Sequence, residues 1–494
     1  MTSTARTDRE ARPGTGADGG RRRWLVLAVV ALAQLMVVLD ATIVNIALPT
    51  AQADLGFGDD SRQWVVTAYA LAFGSLLLVG GRLADLVGRR PVFLVGLVGF
   101  ALASAVGGAA DGFGLLVAAR GAQGVFGALL APAALSLLTV TFTDGRERGL
   151  AFAVFGALSG AGGAIGLILG GALTEYLSWR WCLYVNVPIA VLAVVGALLF
   201  LPRSGGRAGG PGIDAPGAVL SVAGLVALVY GLASAETDGW SAGSTLGFIA
   251  AGVVLLAVFV VVETRVAHPL LPMRVVTDRA RGGAFLAVGV VGAGMFGVFL
   301  FLTYYLSTVL GYAPLPTGVA FLPLIAGITL SAQTSPALVT RIGVKVPIAA
   351  GFAVGALGLL VFTTLGTDSG YWTQVFPGLV VTGLGIGLVI APAFSAATLG
   401  VQASDAGVAS AAVNTFQQIG GSIATAVLSA LAAAAASDAL AADPSAPLQA
   451  AVTSYTTVFA WSAGIFAAGA LVCGLLLPHG AVRTDPDAAP VVGH

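Results

Sequence analysis

"WLVLAVVALAQLMVVLDATIVNIAL", residues 24–48, decides the fold. It is long enough to cross a bilayer, for which a helix needs about 20 apolar residues. A single ionisable side chain, Asp40, interrupts it. A carboxylate near the middle of such a helix costs roughly 2.5–3.5 kcal/mol on insertion scales. A residue retained at that cost calls for a function.

The pattern extends along the chain. Of 494 residues, 57% are hydrophobic and 9% charged, and mean hydropathy is +0.95. Soluble domains carry about 25% charge. Apolar blocks separated by short polar breaks describe an all-α polytopic membrane protein. A β-barrel would instead show alternating segments of about ten residues. Zero net charge provides no basic surface for nucleic acid. Cys182 and Cys473 lie in apolar runs and read as packing residues. Residues 1–23, ending in Arg21, Arg22 and Arg23, read as a disordered tail. The apolar run that follows is too long for a signal-peptide core and lacks a small-residue cleavage site, so it is expected to be a retained first helix.

Fourteen spans are predicted, at about 24–48, 63–81, 91–110, 113–140, 149–174, 181–201, 216–235, 243–262, 283–310, 316–340, 346–366, 371–397, 406–436 and 452–477. Twenty of the 23 Lys and Arg fall in the tails and the even-to-odd connections; only Arg62 and Arg180 fall in odd-to-even ones. The positive-inside rule then makes both termini cytoplasmic, in a multi-pass protein of the cell inner (plasma) membrane. "GRRPVF" (88–93) after span 2 and "GVKVPI" (343–348) after span 10 fall at the same point of two six-span blocks. The expected organisation is a bundle at 24–201, a linker with two additional spans at 202–282, a second bundle at 283–478 and a tail at 479–494. Parallel six-helix repeats are a transporter architecture. The stretch "RSGGRAGGPGIDAPG" (203–217) suits a flexible joint.

Two charges lie well inside spans. Asp40 is about nine residues, or roughly 14 Å, from Pro49 at the expected end of span 1. Arg120 is about eight residues, or roughly 12 Å, into span 4. They form either a structural ion pair or a functional one; intramembrane carboxylates often bind protons. The connection "GGRLADLVGRRPVF" (80–93) crowds Arg82, Asp85, Arg89 and Arg90 together with Gly81 and Gly88. Anchoring explains the arginines. It does not call for the glycines, which permit close helix ends, or for Asp85, which can cap a helix or pair with an arginine.

These stretches resemble a known family. "GRLADLVGRR" (81–90) is similar to the span 2–3 signature of the major facilitator superfamily. "LDATIVNIALP" (39–49) resembles the span 1 signature of its fourteen-helix drug:proton antiporters, of the multidrug-resistance efflux type. "RGAQGVFGALLAPA" (120–133), "WRWCLYVNVPI" (179–189) and "GYAPLPTGVAFLP" (311–323) resemble its span 4, span 6 and span 9–10 stretches. The resemblance implies two six-helix bundles plus two extra central helices, rocking around a cavity to exchange protons for amphiphilic drugs or antibiotics. Asp40 would carry the proton with Arg120 as its switch. The loop of Gly81, Arg82, Asp85, Gly88, Arg89 and Arg90 would lock the cytoplasmic gate. Two departures stand out: Gly166-Leu167 replaces the family's Gly-Pro pair in span 5, and Leu86 and Val87 replace a basic and aromatic pair.

Span 5 carries Gly162, Gly166 and Gly170, with Gly171, on "GAGGAIGLILGG" (160–171). This is either a packing face or part of a gate. Asn45, Gln123, Tyr304, Asn414, Gln417 and Gln418 either line a substrate cavity or hydrogen-bond neighbouring helices; Tyr305 shares the ambiguity. No Walker motif occurs, and Lys345 is followed by Val346. His268, His479 and His494 have no metal spacing. The expectation is a transporter rather than an enzyme, with no cofactor, no ATP and no nucleic acid, driven by the proton gradient. Its partners are protons, the lipid bilayer and a small amphiphilic substrate. Two alternatives stay open: a major facilitator carrying another cargo, such as a lipid or metabolite, and a non-transporting receptor or scaffold.

Overall fold

The computed structural model describes residues 17–202, 214–398, 401 and 406–478. The expected tails before residue 17 and after 478, and most of the glycine-rich joint, lie outside the described residues. Among the described residues, fourteen helices are long and apolar enough to cross a membrane. Spans 1–6 are Arg21–Leu55, Gln63–Val87, Arg89–Gly108, Phe113–Thr141, Val154–Tyr176 and Trp181–Phe200. Spans 7 and 8 are Ala215–Ser234 and Gly243–Glu263. Spans 9–14 are Arg279–Val309, Pro314–Ser335, Lys345–Phe362, Tyr371–Thr398, Gly407–Ala442 and Pro447–Leu476. The protein is therefore a multi-pass membrane protein.

Two expected boundaries need correction. Span 1 does not stop at Pro49; its helix runs on to Leu55 with Pro49 inside it. Proline removes one backbone hydrogen bond, but the packed helices around a membrane helix tolerate that loss. Asp40 is therefore deeper within its helix than the distance to Pro49 suggested. The second correction concerns residues 80–93, expected as a turn. Span 2 remains helical to Val87, and the next helix starts at Arg89. The connection is Gly88 alone, at φ 111°, a conformation that favours glycine. Gly343 ends the span 10 helix in the second half at φ 79°. The Gly-basic-Pro repeat thus marks the same kind of helix end twice.

The halves meet unevenly. One apolar core fills the second bundle and continues into the first through Leu39, Ile43, Ile46, Leu48, Val65 and Leu167. These residues lie towards the end of the molecule far from the chain termini. The terminal end of the first bundle has its own core, including Val30, Phe93, Phe100 and Phe142. At the far end Tyr304 donates its hydroxyl to Gln52 Oε1 at 2.5 Å, and Leu315 N–H donates to Glu175 at 3.0 Å. The Arg62 guanidinium lies 4.0 Å over the Tyr304 ring. The molecule is closed between its bundles at that end. Spans 7 and 8 form a hairpin that packs over the seam of spans 2 and 13, through Leu71, Leu225, Val229 and Ala426.

Candidate functional site

Asp40 is fully buried, and three donors converge on it. Arg120 Nη1 reaches Oδ2 at 2.6 Å. Gln123 Nε2 and Asn186 Nδ2 both donate to Oδ1, each at 2.8 Å. Arg120 is 2% exposed and is itself held from three sides. Its Nε donates to the Val65 carbonyl at 3.1 Å, its Nη1 also reaches Gln123 Oε1 at 2.8 Å, and its guanidinium lies 4.5 Å over the Tyr69 ring. Gln123 Nε2 additionally donates to Ser104 Oγ at 2.7 Å. Spans 1, 2, 3, 4 and 6 therefore all contribute to one polar cluster.

Such a cluster is sensitive to charge. Removing one partner of a buried ion pair costs about 3–5 kcal/mol, because the other charge is left uncompensated. A proton added to Asp40 would do the same to Arg120, so the two states differ in more than one hydrogen bond. The cluster also contains an acceptor in reserve. Asn186 Oδ1 is buried with no hydrogen-bond partner, on the amide that already donates to Asp40. A protonated carboxyl needs an acceptor of this kind, since its O–H becomes a donor.

The glycines of span 5 hold the carboxylate's helix from behind. A side-chain carbon at Gly166 would lie 2.0 Å from Thr42 Oγ1 and 3.1 Å from the Leu39 carbonyl. One at Gly170 would lie 2.8 Å from Ile43, and one at Gly162 would press on Leu35 and Val38. These three glycines form a packing face against span 1 on both sides of Asp40. Gly171 instead faces the other bundle, against Leu315 and Pro314.

Several expected residues sit elsewhere. Gln123 was a cavity candidate, but it is fully buried within the Asp40 cluster. Tyr304 belongs to the far-end contact, because its ring carries Arg62 and its hydroxyl reaches Gln52 across the seam; Tyr305 is buried and donates to the Gly366 carbonyl. Asn45 donates to the Ala41 carbonyl of its own helix at 2.9 Å. Asn414, Gln417 and Gln418 are half-buried. Asn414 bonds its own helix at Ser410, Gln417 reaches Met295, and the Gln418 side chain packs on Gly74 of span 2. In the Gly88 joint, Arg90 donates to the Leu198 carbonyl at 2.8 Å. Asp85 is exposed on the last turns of span 2, and among the described residues it makes no hydrogen bond or ion pair. The cap or arginine pair expected of it is not formed with the far end closed.

Sequence reasoning missed Asn186, Ser104 and Tyr69. Asn186 lay inside "WRWCLYVNVPI", a stretch recognised for its overall pattern; the signal available was one amide at the entry of an otherwise apolar span.

A family model described as Major Facilitator Superfamily matches residues 30–425. A puromycin resistance protein from Streptomyces alboniger is 48% identical over 462 residues, covering 92% of each chain. A cephamycin export protein from Amycolatopsis lactamdurans is 41% identical, over 87% of this chain and 88% of the relative. A tetracenomycin C resistance and export protein from Streptomyces glaucescens is 35% identical, over 86% of this chain and 78% of the relative. With fourteen spans in two bundles, a family match across both of them and relatives aligned along nearly its whole length, the chain belongs to the Major Facilitator Superfamily.

Proposed function

We propose that this chain exports amphiphilic small molecules, antibiotics among them, in exchange for protons. The observation that carries the reading is the Asp40 cluster: a buried carboxylate held by Arg120, with an unpartnered amide acceptor beside it. The cargo is suggested by relatives described as conferring resistance to, or exporting, puromycin, cephamycin and tetracenomycin C. In this reading the termini are cytoplasmic, the membrane is the cell membrane, and the far end is the external gate. A proton arriving at Asp40 releases Arg120, and the first bundle then repacks around the freed guanidinium. Alternating access follows: protonation from outside closes the far-end contact and opens the Gly88 side, where the proton leaves and cargo enters, and the deprotonated, loaded state reverses both. The driving force is the proton gradient, whose electrical part supplies about 2.3 kcal/mol per charge per 100 mV.

Inside-out vesicles containing the purified protein would accumulate puromycin uphill when their lumen is acidified. A protonophore should abolish that accumulation, and so should Asp40→Asn, with the protein still inserted. Uphill transport by the Asn variant at equal protein amount would remove Asp40 from coupling.

A further inference from the structure

Glu236 lies in the short connection between spans 7 and 8, at the far end, and is half-buried. Gln63, at the start of span 2, is 1% exposed and donates from Nε2 to Glu236 Oε2 at 2.5 Å. The other half of that amide, Gln63 Oε1, is buried with no hydrogen-bond partner. The residue before it, Arg62, closes the gate. Its side chain is 8% exposed, pairs with Asp59 at 3.3 Å, and lies over Tyr304 of the second bundle. Tyr304 in turn holds Gln52, which also donates to Asp59 at 2.7 Å. Glu236 thus joins the central hairpin to the point where the two bundles meet.

We infer that Glu236 and Gln63 form a second proton-binding site, which loads when the far end is closed and empties when it opens. The chemistry is a proton transfer from water at that face to the Glu236 carboxylate. The new O–H is donated to Gln63 Oε1, and the existing Nε2 hydrogen bond is kept. A carboxylic acid and a primary amide then share two hydrogen bonds, and the buried orphan acceptor is satisfied. The ionised carboxylate satisfies only the N–H.

The surroundings favour loading. Burial pushes the Glu236 carboxyl up to about 7 from its ordinary 4.5; Arg62 opposes the rise, while Asp60 and Asp59 add to it. On the hairpin's own connection, Asp238 accepts from Thr237 and Ser244. Opening the gate returns Glu236 to water and towards the ordinary value. Because the closed state binds the proton more tightly, it gains stability as pH falls through 7, and the gain is complete below 4.5. Between pH 8 and pH 6 the closed-to-open ratio should rise about tenfold.

The inference concerns closure and does not depend on Asp40. The test uses the full chain in lipid nanodiscs, spin-labelled at Leu177→Cys and Trp372→Cys. Both positions are exposed at the far end, one in each half, and the native Cys182 and Cys473 are buried. The short-distance population should grow about tenfold relative to the long one from pH 8 to pH 6. In Glu236→Gln, whose amide can still pair with Gln63, the ratio should not respond to pH. With the hairpin's other glutamate, the buried Glu263, removed throughout by Glu263→Gln, infrared difference spectra between the same pH values should show a protonated-carboxyl band that survives in Asp40→Asn and disappears in Glu236→Gln. An unchanged band in Glu236→Gln, or pH-driven closure that persists in that variant, overturns the assignment. Reading the band in the Asp40→Asn background keeps this result separate from whether Asp40 couples transport.

Discussion

Asn186 donates one hydrogen bond to Asp40 Oδ1 at 2.8 Å and carries, on the same amide, a buried oxygen with no partner. The amide can therefore serve either protonation state of the carboxyl. Replacing it with leucine removes a donor to a charged group, an interaction worth about 1.5–3 kcal/mol. Asn186→Leu is expected to lower the initial efflux rate at least about tenfold and to move its pH profile. Efflux at several pH values, normalised to protein amount, is the measurement. An unshifted profile with a uniformly lower rate would reduce Asn186 to packing.

Arg120 makes contacts in several directions at once, to Asp40, Gln123 and the Val65 carbonyl, with its face on Tyr69. A planar fork meets that set; an ammonium is a compact point charge and does not stack in the same way. Arg120→Lys should therefore transport nearly as poorly as Arg120→Ala, although it keeps the charge. Drug susceptibility of a pump-deficient host carrying each variant decides the matter, and full resistance from the Lys variant would make Arg120 a simple countercharge.

Gly170 leaves no room for a side chain, since a Cβ there would sit 2.8 Å from Ile43 Cγ1 and 3.0 Å from the Ile43 carbonyl oxygen. Gly170→Val should destabilise the protein by about 1–3 kcal/mol, the usual cost of overpacking. Gly114→Ala, which meets nothing within 4 Å, serves as the control. Thermal unfolding of both purified variants tests the contrast, and equal midpoints would mean that the span 1–span 5 contact yields easily.

Asp85 is exposed, and among the described residues it has no hydrogen-bond or ion-pair partner with the far end closed. Its contribution should therefore appear only in the opposite state, where a helix-end or arginine contact is worth about 0.3–1 kcal/mol. Asp85→Asn is expected to leave the melting temperature unchanged and to shift the balance between states by about two- to fivefold towards the present one. Cysteine accessibility from the terminal side reports that shift; unchanged accessibility with normal efflux would leave the Gly88 joint as an anchor only.

Legibility in the sequence followed cost. Asp40 and Arg120 were readable because a lone charge in an apolar helix has few explanations, and the structure joins them in one ion pair. The span count was readable for a related reason, since charge marks all but one of the connections and glycine and proline mark the one between spans 9 and 10. Span ends were less so: nothing local showed that the helix continues through Pro49, or that residues 80–87 stay helical up to one glycine. Neutral polar residues were the hardest. Gln123, Asn186 and Gln63 are amides on apolar helices, and whether an amide faces a cavity, a carboxylate or its own backbone depends on helix rotation. A single sequence carries little of that. Tyr304 stayed open between a cavity and a helix contact for a similar reason, because its partners Arg62 and Gln52 lie more than 200 positions away.

The joint at Gly88 has a mechanical consequence. Two long helices separated by one residue have no slack between them, so a tilt of the first cannot be absorbed before it reaches the second. They form a bent lever whose elbow is at the terminal end and whose arms reach towards the far one. One arm carries Tyr69 and Val65 against Arg120, and the other carries Ser104 against Gln123. A change of grip at the carboxylate is thereby transmitted along rigid rods to the elbow, and the second half has a looser counterpart, with Gly343 and Val344 between its helices.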